Sequence, residues 1–543
     1  MVLQSGADHR GARQRASDGC PGVERWAIAE HRRLQSQRIR GATHPRLGLG
    51  WHSGLPAAAA PISEQVTTDS SPLRSRWTPW KASSQDRGSA VRWLCAVNHG
   101  SLTMPPGTIR IRSVSNALVS YQKESPMSSD AKIVVFLGDG IGDRPVPALS
   151  GRTPLEAQDT PSLDRLAADG VCGMLNPIAH GRRAGSDTAH MAILGYDPFT
   201  NYKGRGPFEA KGVGIDVLPG DIAFRCNFST VEGRRVVDRR AGRIRNGTDQ
   251  LAAAVNEKAG LIDGVECIFR QSVEHRAALV LRGPSLDHRI TEVDPHHEGA
   301  EYPDCQPLPE AKDDPDARRT AGIVNRWVAL AHEALQDHPV NQQRRAEGFP
   351  PANIALPRGV GTAVHLQPFA ERYGLKGAMI VEVDLVRGLG EYLGMSVIHV
   401  AGATGGMDTD EIAMAQAIVT ALETHDFVLA NIKCPDLAGH DGDAAQKMSA
   451  IAKVDRAVGH LLAALDFSRT TVLATGDHCT PVTYGDHTGD AVPAVFCGHG
   501  VRPDDVVSFG ERQCMKGGLG YFTGLDVMTL MTNLAGSQEK FGA

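Results

Sequence analysis

A short, uninterrupted apolar run, Ile133-Val-Val-Phe-Leu137, leads directly into the glycine-bracketed aspartate of Gly138-Asp-Gly140. Apolar runs of this length that end at a glycine turn are typical of strands buried on both faces of a parallel sheet. Five later segments have the same character: Ala378–Val383, Val397–Val400, Phe427–Ile432, Thr471–Ala474 and Ala494–Phe496. Strands of this kind require helices on both faces of their sheet, which favours the α/β class of fold.

Helical patterns lie between these strands. Thr160-Pro161 predicts a helix start, because threonine caps helices and proline suits their first turn, and Gly170 predicts the end of that helix. Asp410–Glu423 and Asp443–Leu465 are further predicted helices. Because strand and helix alternate, we expect a parallel-type sheet flanked by helices.

The stretch from about 216 to 350 has a different character. It holds a basic cluster and loops rich in histidine and proline, and an amphipathic helix is predicted near Asp316–Gln336. We interpret residues 216–350 as an inserted domain, which divides the main domain into residues 131–215 and 351–536.

The first 126 residues differ from the rest in composition and charge. They carry 17 Lys/Arg against 8 Asp/Glu, whereas the remaining residues carry 40 against 54. Three interpretations are open: an organelle transit peptide, a disordered regulatory arm, or a stretch translated from upstream of the true start. We favour the last, with Met127 as the first residue, and assign residues 1–126 no function.

Properties of the whole chain argue against several classes of protein. The formal net charge of −5 argues against nucleic-acid binding. The sequence has no run of about 18 apolar residues, so we expect no membrane-spanning helix. The N-terminus lacks the apolar segment of a secretory signal, and the ten cysteines form no C-x-x-C pair. These features predict a cytoplasmic protein.

Acidic and histidine side chains follow three of the predicted strands. They are Asp139, Asp436, His440, Asp477, His478 and His487. Sites of α/β proteins lie at the carboxyl ends of strands. Carboxylate oxygens and imidazole nitrogens suit Mn²⁺, Mg²⁺ or Zn²⁺. One Asp-His pair alone is weak evidence, but three such clusters after three different strands predict a metal site.

A candidate nucleophile lies in Gly185-Ser-Asp-Thr-Ala-His190. Ser186 is expected to cap the following helix, where backbone N–H groups and the helix dipole favour negative charge. A metal contact would activate its hydroxyl for attack on phosphorus. The alternative is an ordinary capping serine. His190 is expected on the same helix face, where it either contacts substrate or packs.

Seven motifs together resemble the archaeal-type 2,3-bisphosphoglycerate-independent phosphoglycerate mutases, a family of the alkaline phosphatase superfamily. The resemblance covers about Lys132 to Leu534 and implies a superfamily-type sheet with an inserted α/β cap at 216–350. The motifs are Gly138-Asp-Gly140, Gly185-Ser-Asp-Thr-Ala-His190, Gly204-Arg-Gly-Pro-Phe-Glu-Ala210, Arg225-Cys-Asn-Phe228, Arg239-Arg-Ala-Gly-Arg243, Pro435-Asp-Leu-Ala-Gly-His440 and Gly476-Asp-His478.

The resemblance implies two divalent metal ions, Mn²⁺ in the first instance, with Mg²⁺, Zn²⁺ or Co²⁺ as alternatives. One ion would be held by Asp139, Ser186, Asp477 and His478, and the other by Asp436, His440 and His487. It also implies interconversion of 3-phosphoglycerate and 2-phosphoglycerate through a phosphoserine at Ser186, in glycolysis and gluconeogenesis. Another metal-dependent phosphatase or phosphomutase of the superfamily is the alternative, and a catalytically silent binding protein is a third hypothesis.

The expected partner is this small-molecule substrate, with no nucleic acid and no membrane. Substrate-binding residues are expected to be His190, Arg225, Arg240 and Arg243, with Arg239 beside them. Arginine forms bidentate pairs with phosphate and carboxylate groups. The alternative for the arginines is a solvated basic loop. His275 and the pair His296-His297 lack ligand spacing, and we expect them to be exposed loop residues.

Overall fold

The computed structural model describes residues 131–538, together with 540 and 542. Two β-sheets account for its fourteen named strands. The strands are β1 (Lys132–Gly138), β2 (Gly170–Asn176), β3 (Ile222–Glu232), β4 (Arg235–Asp238), β5 (Leu261–Ile262), β6 (Val265–Gln271), β7 (Arg276–Arg282), β8 (Ile354–Thr362), β9 (Gly377–Val381), β10 (Ser396–Val397), β11 (Phe427–Ile432), β12 (Thr470–Thr475), β13 (Val492–Gly498) and β14 (Gly520–Thr523).

Helices connect most of these strands. They are α1 (Pro154–Ala157), α2 (Pro161–Ala168), α3 (Ser186–Ile193), α4 (Pro198–Asn201), α5 (Gly206–Gly212), α6 (Thr248–Ala259), α7 (Pro315–Gln336), α8 (Pro339–Ala346), α9 (Phe369–Tyr373), α10 (Asp384–Tyr392), α11 (Glu411–Ala421), α12 (Cys434–Asp441), α13 (Ala444–Ala464), α14 (Glu511–Cys514) and α15 (Gly524–Leu534). Short 3₁₀ turns lie at Pro147–Leu149, Ala241–Arg243 and Pro309–Ala311.

The larger sheet has eight strands in the order β10-β9-β11-β1-β12-β13-β2-β14. Its pairs are parallel except those of β13, which runs antiparallel to both β12 and β2. The predicted α/β architecture is therefore confirmed, but the parallel direction expected for the Ala494–Phe496 strand is wrong. β13 follows β12 through a connection without a helix, so the chain returns in the opposite direction beside it.

Apolar side chains of β1 enter the cores on both faces of this sheet. Val134 and Phe136 belong to one buried cluster, whereas Ile133, Val135 and Leu137 belong to the other. Successive side chains of a strand point to opposite faces, so an unbroken apolar run is what a doubly covered strand requires. Burial on both faces therefore explains why the run from Ile133 to Leu137 is apolar throughout.

The smaller sheet is antiparallel, in the order β4-β3-β7-β6-β5 with β8 on the other side of β3. Its core includes α6 and α7, and Trp327 of α7 packs against Phe269 of β6 with ring centroids 5.2 Å apart. The sheet continues past residue 350, because β8 pairs with β3. The domain boundaries given above stay a prediction.

Several local predictions differ from the structure. Val397–Val400 contributes only the two-residue β10 to the sheet, ending at Val397. Thr160 is the N-cap residue of α2, but its side chain makes no capping hydrogen bond. Gly170 opens β2 rather than closing the helix, which ends at Ala168. The longer predicted helices are confirmed within a few residues at each end.

The predictions for residues 1–126 lie outside the described residues. Among the residues that the structure describes, there is no helix both long enough and apolar enough to cross a membrane.

Glu511 of α14 supports the loop after β1 and makes folding stability pH-dependent. Its Oε1 accepts from the Asp143 N–H at 3.1 Å, and its Oε2 accepts from Thr153 Oγ1 at 2.7 Å. Burial raises the pKa of Glu511 from 4.5 to about 7. Because the folded protein then binds this proton more tightly than the unfolded chain, Glu511 lowers stability as pH rises from about 4.5 to 7.

We therefore expect Glu511→Gln to gain about 2 kcal/mol of unfolding free energy relative to the unaltered protein between pH 5 and pH 8. Urea unfolding at several pH values measures this difference. Glu423→Gln, at an exposed position, is the matched control. A constant difference across this pH range would show that Glu511 does not titrate there.

Candidate metal and phosphate site

Three neighbouring strands of the larger sheet bring the predicted ligands together. β1 lies between β11 and β12, and all three run parallel. Asp139 follows β1, α12 with Asp436 and His440 follows β11, and Asp477-His478 follows β12. The carboxyl ends of these strands therefore meet at one edge, which is where the sequence placed the site.

The first group of ligands surrounds His478. Its Nε2 lies 3.3 Å from Asp477 Oδ2 and 3.6 Å from Asp139 Oδ1. Ser186 Oγ is 3.3 Å from the same nitrogen. Asp139, Asp477 and His478 are fully buried, and one ligand atom of each lies within 4.8 Å of the others. The structure thus assembles all four residues that were predicted to share one ion.

The second group surrounds Asp436. Its Oδ1 lies 3.5 Å from His440 Nε2 and 3.4 Å from His487 Nε2. The His487 ring also stacks on that of His478, with centroids 3.6 Å apart. The two predicted groups are therefore adjacent, and the structure brings all seven predicted metal ligands into one cluster.

Hydrogen bonds orient the three histidines. Nδ1 of His440 bonds to the Gly485 carbonyl at 2.9 Å, and Nδ1 of His487 bonds to the Ala184 carbonyl at 2.8 Å. Nδ1 of His478 lies 3.1 Å from Thr480 Oγ1. A ring whose Nδ1–H donates in this way presents an unprotonated Nε2, the form that binds a metal. Each Nε2 faces the ligand cluster.

Thr480 and Gly140 hold the clustered loops close together. Thr480 Oγ1 donates to Asp436 Oδ1 at 2.7 Å and so links the two ligand groups. Gly140 N donates to Asp477 Oδ1 at 3.0 Å. Gly140 has φ +61°, and a Cβ there would lie 2.8 Å from Asp436 Cβ. Both the conformation and the close approach require glycine at this position.

Burial and the clustered charges together shift several pKa values. Burial, followed by the neighbouring Asp477 carboxylate, raises the pKa of Asp139. Burial also opposes ionisation of Asp436, but Lys433 and the histidines hold the pKa of Asp436 well below its usual value. Burial and His487 lower the pKa of His478 well below its usual value. The cluster combines acidic oxygen donors with a histidine kept neutral.

Lys433 is a residue of this site that the sequence interpretation missed. Its Nζ lies 2.8 Å from Asp139 Oδ1 and 2.8 Å from Asp436 Oδ2, so it bridges the two ligand groups. It directly follows β11, and its position at a strand end was a signal that could have identified it. Its ammonium group balances part of the carboxylate charge.

Ser186 is the first residue of α3, and Gly185 takes the N-cap position predicted for the serine. The Ser186 side chain therefore remains free to face His478, at the positive end of the helix dipole. His190 lies one turn further along. It is fully buried, with Nδ1 2.7 Å from the Ser186 carbonyl and Nε2 2.9 Å from Asn431 Nδ2. His190 does not line the cavity described next, which favours the packing alternative.

A cavity of about 670 Å³ opens over the ligand cluster, and residues of both sheets line it. Eight arginines contribute to its wall. They are Arg183, Arg205, Arg225, Arg239, Arg240, Arg243, Arg276 and Arg358. The arginines predicted from the sequence are thus brought to one cavity, and four others join them.

Most of these arginines are held by acidic partners. Arg239 forms a bidentate pair with Asp294, at 3.0 and 2.7 Å. Arg243 reaches Asp441 at 2.9 Å, and Arg225 lies 3.3 Å from Glu209. Arg240 differs, because within residues 131–538 its guanidinium forms no ion pair. Burial, followed by Arg243, lowers the pKa of Arg240. Arg240 is therefore the arginine most available to an anion.

His275 was predicted to be an exposed loop residue, and this prediction is wrong. Its side chain is buried beside Arg276 at the cavity wall. Burial and the surrounding arginines lower the pKa of His275. His296 and His297 are both exposed, as expected, and His296 also lies at the cavity wall and pairs with Glu292. The antiparallel sheet that places His275 there was not predicted.

The donor set fits divalent cations. Three carboxylates and three histidine Nε2 atoms converge with one serine hydroxyl, and no cysteine is among these seven residues. Asp477 Oδ2 makes no hydrogen bond to any described residue although it is buried. A buried acceptor of this kind fits an ion rather than a structural hydrogen bond. We conclude that this cluster can bind divalent metal.

Comparisons with known proteins agree with this geometry. A family model described as 2,3-bisphosphoglycerate-independent phosphoglycerate mutase matches residues 167–341. A protein of that name from Methanopyrus kandleri is 49% identical over 421 residues, covering 76% of this chain and 99% of that protein. A relative from Methanothermobacter thermautotrophicus is 49% identical over 417 residues, covering 76% and 100%. This chain belongs to the 2,3-bisphosphoglycerate-independent phosphoglycerate mutase family.

Two solved structures are also similar to this chain. A Pyrococcus horikoshii protein has a TM-score of 0.65 at 37% identity, covering 76% of this chain and all of that one. The cofactor-independent phosphoglycerate mutase of Thermoplasma acidophilum has a TM-score of 0.52 at 36% identity, covering 75% and 100%. The family resemblance noted from the motifs is confirmed.

Lys447 of α13 ties the ligand-bearing loops together from behind the site. It is fully buried, and its Nζ donates to Asp143 Oδ2 at 2.8 Å, to the Gly142 carbonyl at 3.0 Å and to the Thr480 carbonyl at 2.8 Å. The first two belong to the loop after β1, and the third to the loop after β12. One ammonium group therefore fixes Asp139 relative to Asp477 and His478.

We expect Lys447→Met to weaken Mn²⁺ binding roughly tenfold, because the loops that carry Asp139, Asp477 and His478 lose the group that holds them together. Titration calorimetry measures the affinity, and circular dichroism checks the fold. Because the single change leaves the Asp143 carboxylate buried without its cation, Lys447→Met/Asp143→Asn serves as a second variant. Lys453→Met, on the same helix but paired with Glu411, is the control. Unchanged Mn²⁺ affinity in both Lys447 variants would contradict this positioning role.

Proposed function

We propose that this chain interconverts 3-phosphoglycerate and 2-phosphoglycerate through a phosphoserine at Ser186. The supporting observation is the position of Ser186 Oγ, 3.3 Å from His478 Nε2, at the start of α3 and on the wall of the arginine-lined cavity. Family membership supports the same reaction. Such a mutase needs no bisphosphoglycerate.

The residues present would hold two divalent ions, one at Asp139, Ser186, Asp477 and His478 and the other at Asp436, His440 and His487. We propose Mn²⁺ as the resident ion. When bound, such ions neutralise charge on the phosphoryl oxygens and lower the pKa of the serine hydroxyl.

The reaction then needs two transfers at one serine. In the first, Ser186 Oγ loses its proton and forms a bond to phosphorus, the bond from phosphorus to the C3 oxygen breaks, and that oxygen takes up a proton to give glycerate. In the second, the C2 hydroxyl loses its proton, its oxygen bonds to phosphorus, the Ser186 Oγ–phosphorus bond breaks, and Ser186 Oγ takes up a proton again. The helix dipole and Lys433 stabilise the negative charge of the phosphoserine.

Glycerate must stay bound between these transfers while water is kept from the phosphoserine. The arginines of the smaller sheet are suited to hold its carboxylate, because they line the same cavity as the ligand cluster. Arg240 is our main candidate. We also propose that residues 216–350 form a cap that excludes water, because their arginines line the cavity above the ligand cluster.

The central test is an assay of purified protein with Mn²⁺ and 3-phosphoglycerate, in which enolase consumes the 2-phosphoglycerate that forms. Ser186→Ala should lower turnover at least 10³-fold, because no other residue occupies its place as nucleophile. Ser449→Ala, at a solvent-exposed position of α13, is the control and should have the same turnover as the unaltered protein. Release of free phosphate without 2-phosphoglycerate would instead identify a phosphatase.

Arg240→Met should raise the KM for 3-phosphoglycerate about 10- to 100-fold, since it removes a charge-assisted contact to the anion. Initial rates over a range of substrate concentrations separate KM from kcat. Arg326→Met, an exposed arginine paired with Asp263, is the control. An unchanged KM would show that Arg240 does not bind substrate and would favour the alternative, a solvated basic loop.

A further inference from the structure

Asn227 lies on the cavity face of β3, between two basic neighbours. In the sheet register it pairs with Arg276 of β7, and Arg225 two residues earlier pairs with Arg358 of β8. The alternate residues Cys226 and Phe228 belong to the core of the smaller sheet. The two-residue period of a strand therefore turns Asn227 toward the cavity, which it lines.

The Asn227 side chain is buried but its amide oxygen is unused. The residue is 3% exposed, and Oδ1 has no hydrogen-bond partner within the described part of the chain. Buried amide oxygens are nearly always hydrogen-bonded, because they lose their bonds to water. A buried amide oxygen that has no hydrogen-bond partner at a cavity wall therefore indicates a ligand with a hydrogen-bond donor.

The carboxylates that line this cavity are already engaged, whereas Nδ1 of His275, like Asn227 Oδ1, has no hydrogen-bond partner among the described residues. Glu209 accepts from Arg205 at 3.1 Å, Glu274 from Arg245 at 3.0 Å, and Asp486 from Arg183 at 2.6 Å. Arginine side chains can only donate. Among the residues described as lining the cavity, Asn227 therefore offers an uncharged acceptor that no protein donor satisfies.

Phosphoglycerate carries one group of matching chemistry. Its phosphate and carboxylate accept hydrogen bonds and suit the arginines, whereas its free hydroxyl is the group able to donate. We propose that Asn227 Oδ1 accepts a hydrogen bond from the free hydroxyl of the bound substrate, the C2 hydroxyl of 3-phosphoglycerate or the C3 hydroxyl of 2-phosphoglycerate. This inference rests on the proposed function and names the determinant of substrate specificity.

The consequence is discrimination against analogues without that hydroxyl. A site built around a substrate hydroxyl rejects the deoxy analogue, because its own polar group is then left unpaired. The suitable probe is 3-(phosphonooxy)propanoate, which keeps the phosphate and carboxylate of 3-phosphoglycerate and lacks only the hydroxyl.

The experiment measures the affinity of both ligands by titration calorimetry, with Mn²⁺ present, in Ser186→Ala protein that cannot turn them over. We expect this protein to bind 3-phosphoglycerate at least about tenfold more tightly than the analogue. Adding Asn227→Leu should reduce this preference to less than about threefold, by weakening 3-phosphoglycerate alone. Adding Asn227→Asp, which keeps an oxygen acceptor, should weaken both ligands and preserve the preference.

Two results would overturn the proposal. Equal weakening of both ligands by Asn227→Leu would indicate a general structural role. Loss of the preference in His275→Phe, with no change in Asn227→Leu, would assign the hydroxyl to the neighbouring histidine instead. Failure of the mutase proposal is seen separately, in the enolase-coupled assay of the unaltered protein, because binding preference is measured here without turnover.

Discussion

Mutual repulsion among three buried carboxylates is the constraint on which this site depends. Asp139, Asp436 and Asp477 are each no more than 2% exposed and lie at the ends of adjacent strands. Burial and like charge both oppose their ionisation. The fold keeps them together because the sheet order β11-β1-β12 is fixed by the packed cores on its two faces. The carboxylates therefore cannot separate unless this part of the sheet unfolds.

Two lysines and the orienting hydrogen bonds make this concentration of charge tolerable. Lys433 lies within the cluster, between the ligand groups, whereas Lys447 lies behind it and contacts mostly backbone carbonyls. The two lysines affect the site in different ways. Lys433 balances charge that a metal would also balance, so it belongs to the chemistry of the site. Lys447 fixes loop positions, so its effect reaches the metal through the distances between ligands.

The same cavity also carries the opposite charge. Arginines of the smaller sheet and carboxylates at the edge of the larger sheet both line it. The acidic partners of most of these arginines limit their mutual repulsion and fix their positions. In the part of the chain that the structure describes, Arg240 forms no ion pair and Asn227 Oδ1 accepts no hydrogen bond. Under the two proposals above, Arg240 is available to an anionic group of the substrate and Asn227 to its hydroxyl.

The larger sheet and the ligand cluster could be predicted from the sequence because both are encoded locally. Each ligand directly follows an apolar run or lies in a short motif such as Pro435-Asp-Leu-Ala-Gly-His440. Lys433 also directly follows an apolar run, but the carboxylate and imidazole groups that mark a metal site do not include lysine. Asn227 and His275 had no local signal, because their environment is created by antiparallel pairing of β3 with β7 and β8. The reversed direction of β13 likewise depends on long-range packing.

The backbone is strained in the turn that joins the cavity-lining arginines to the ligand cluster. Ala241, Gly242 and Arg243 have φ values of +45°, +64° and +54°, so three consecutive residues occupy the left-handed region. For alanine and arginine this conformation is costly and persists only where surrounding contacts enforce it. Here the Arg243 guanidinium bonds to Asp441, the residue after His440. The strained turn and this ion pair fix the approach of the smaller sheet to the ligand cluster. Arg240 immediately precedes the turn, so its unpaired guanidinium is held at the cavity by the backbone rather than by an acidic partner.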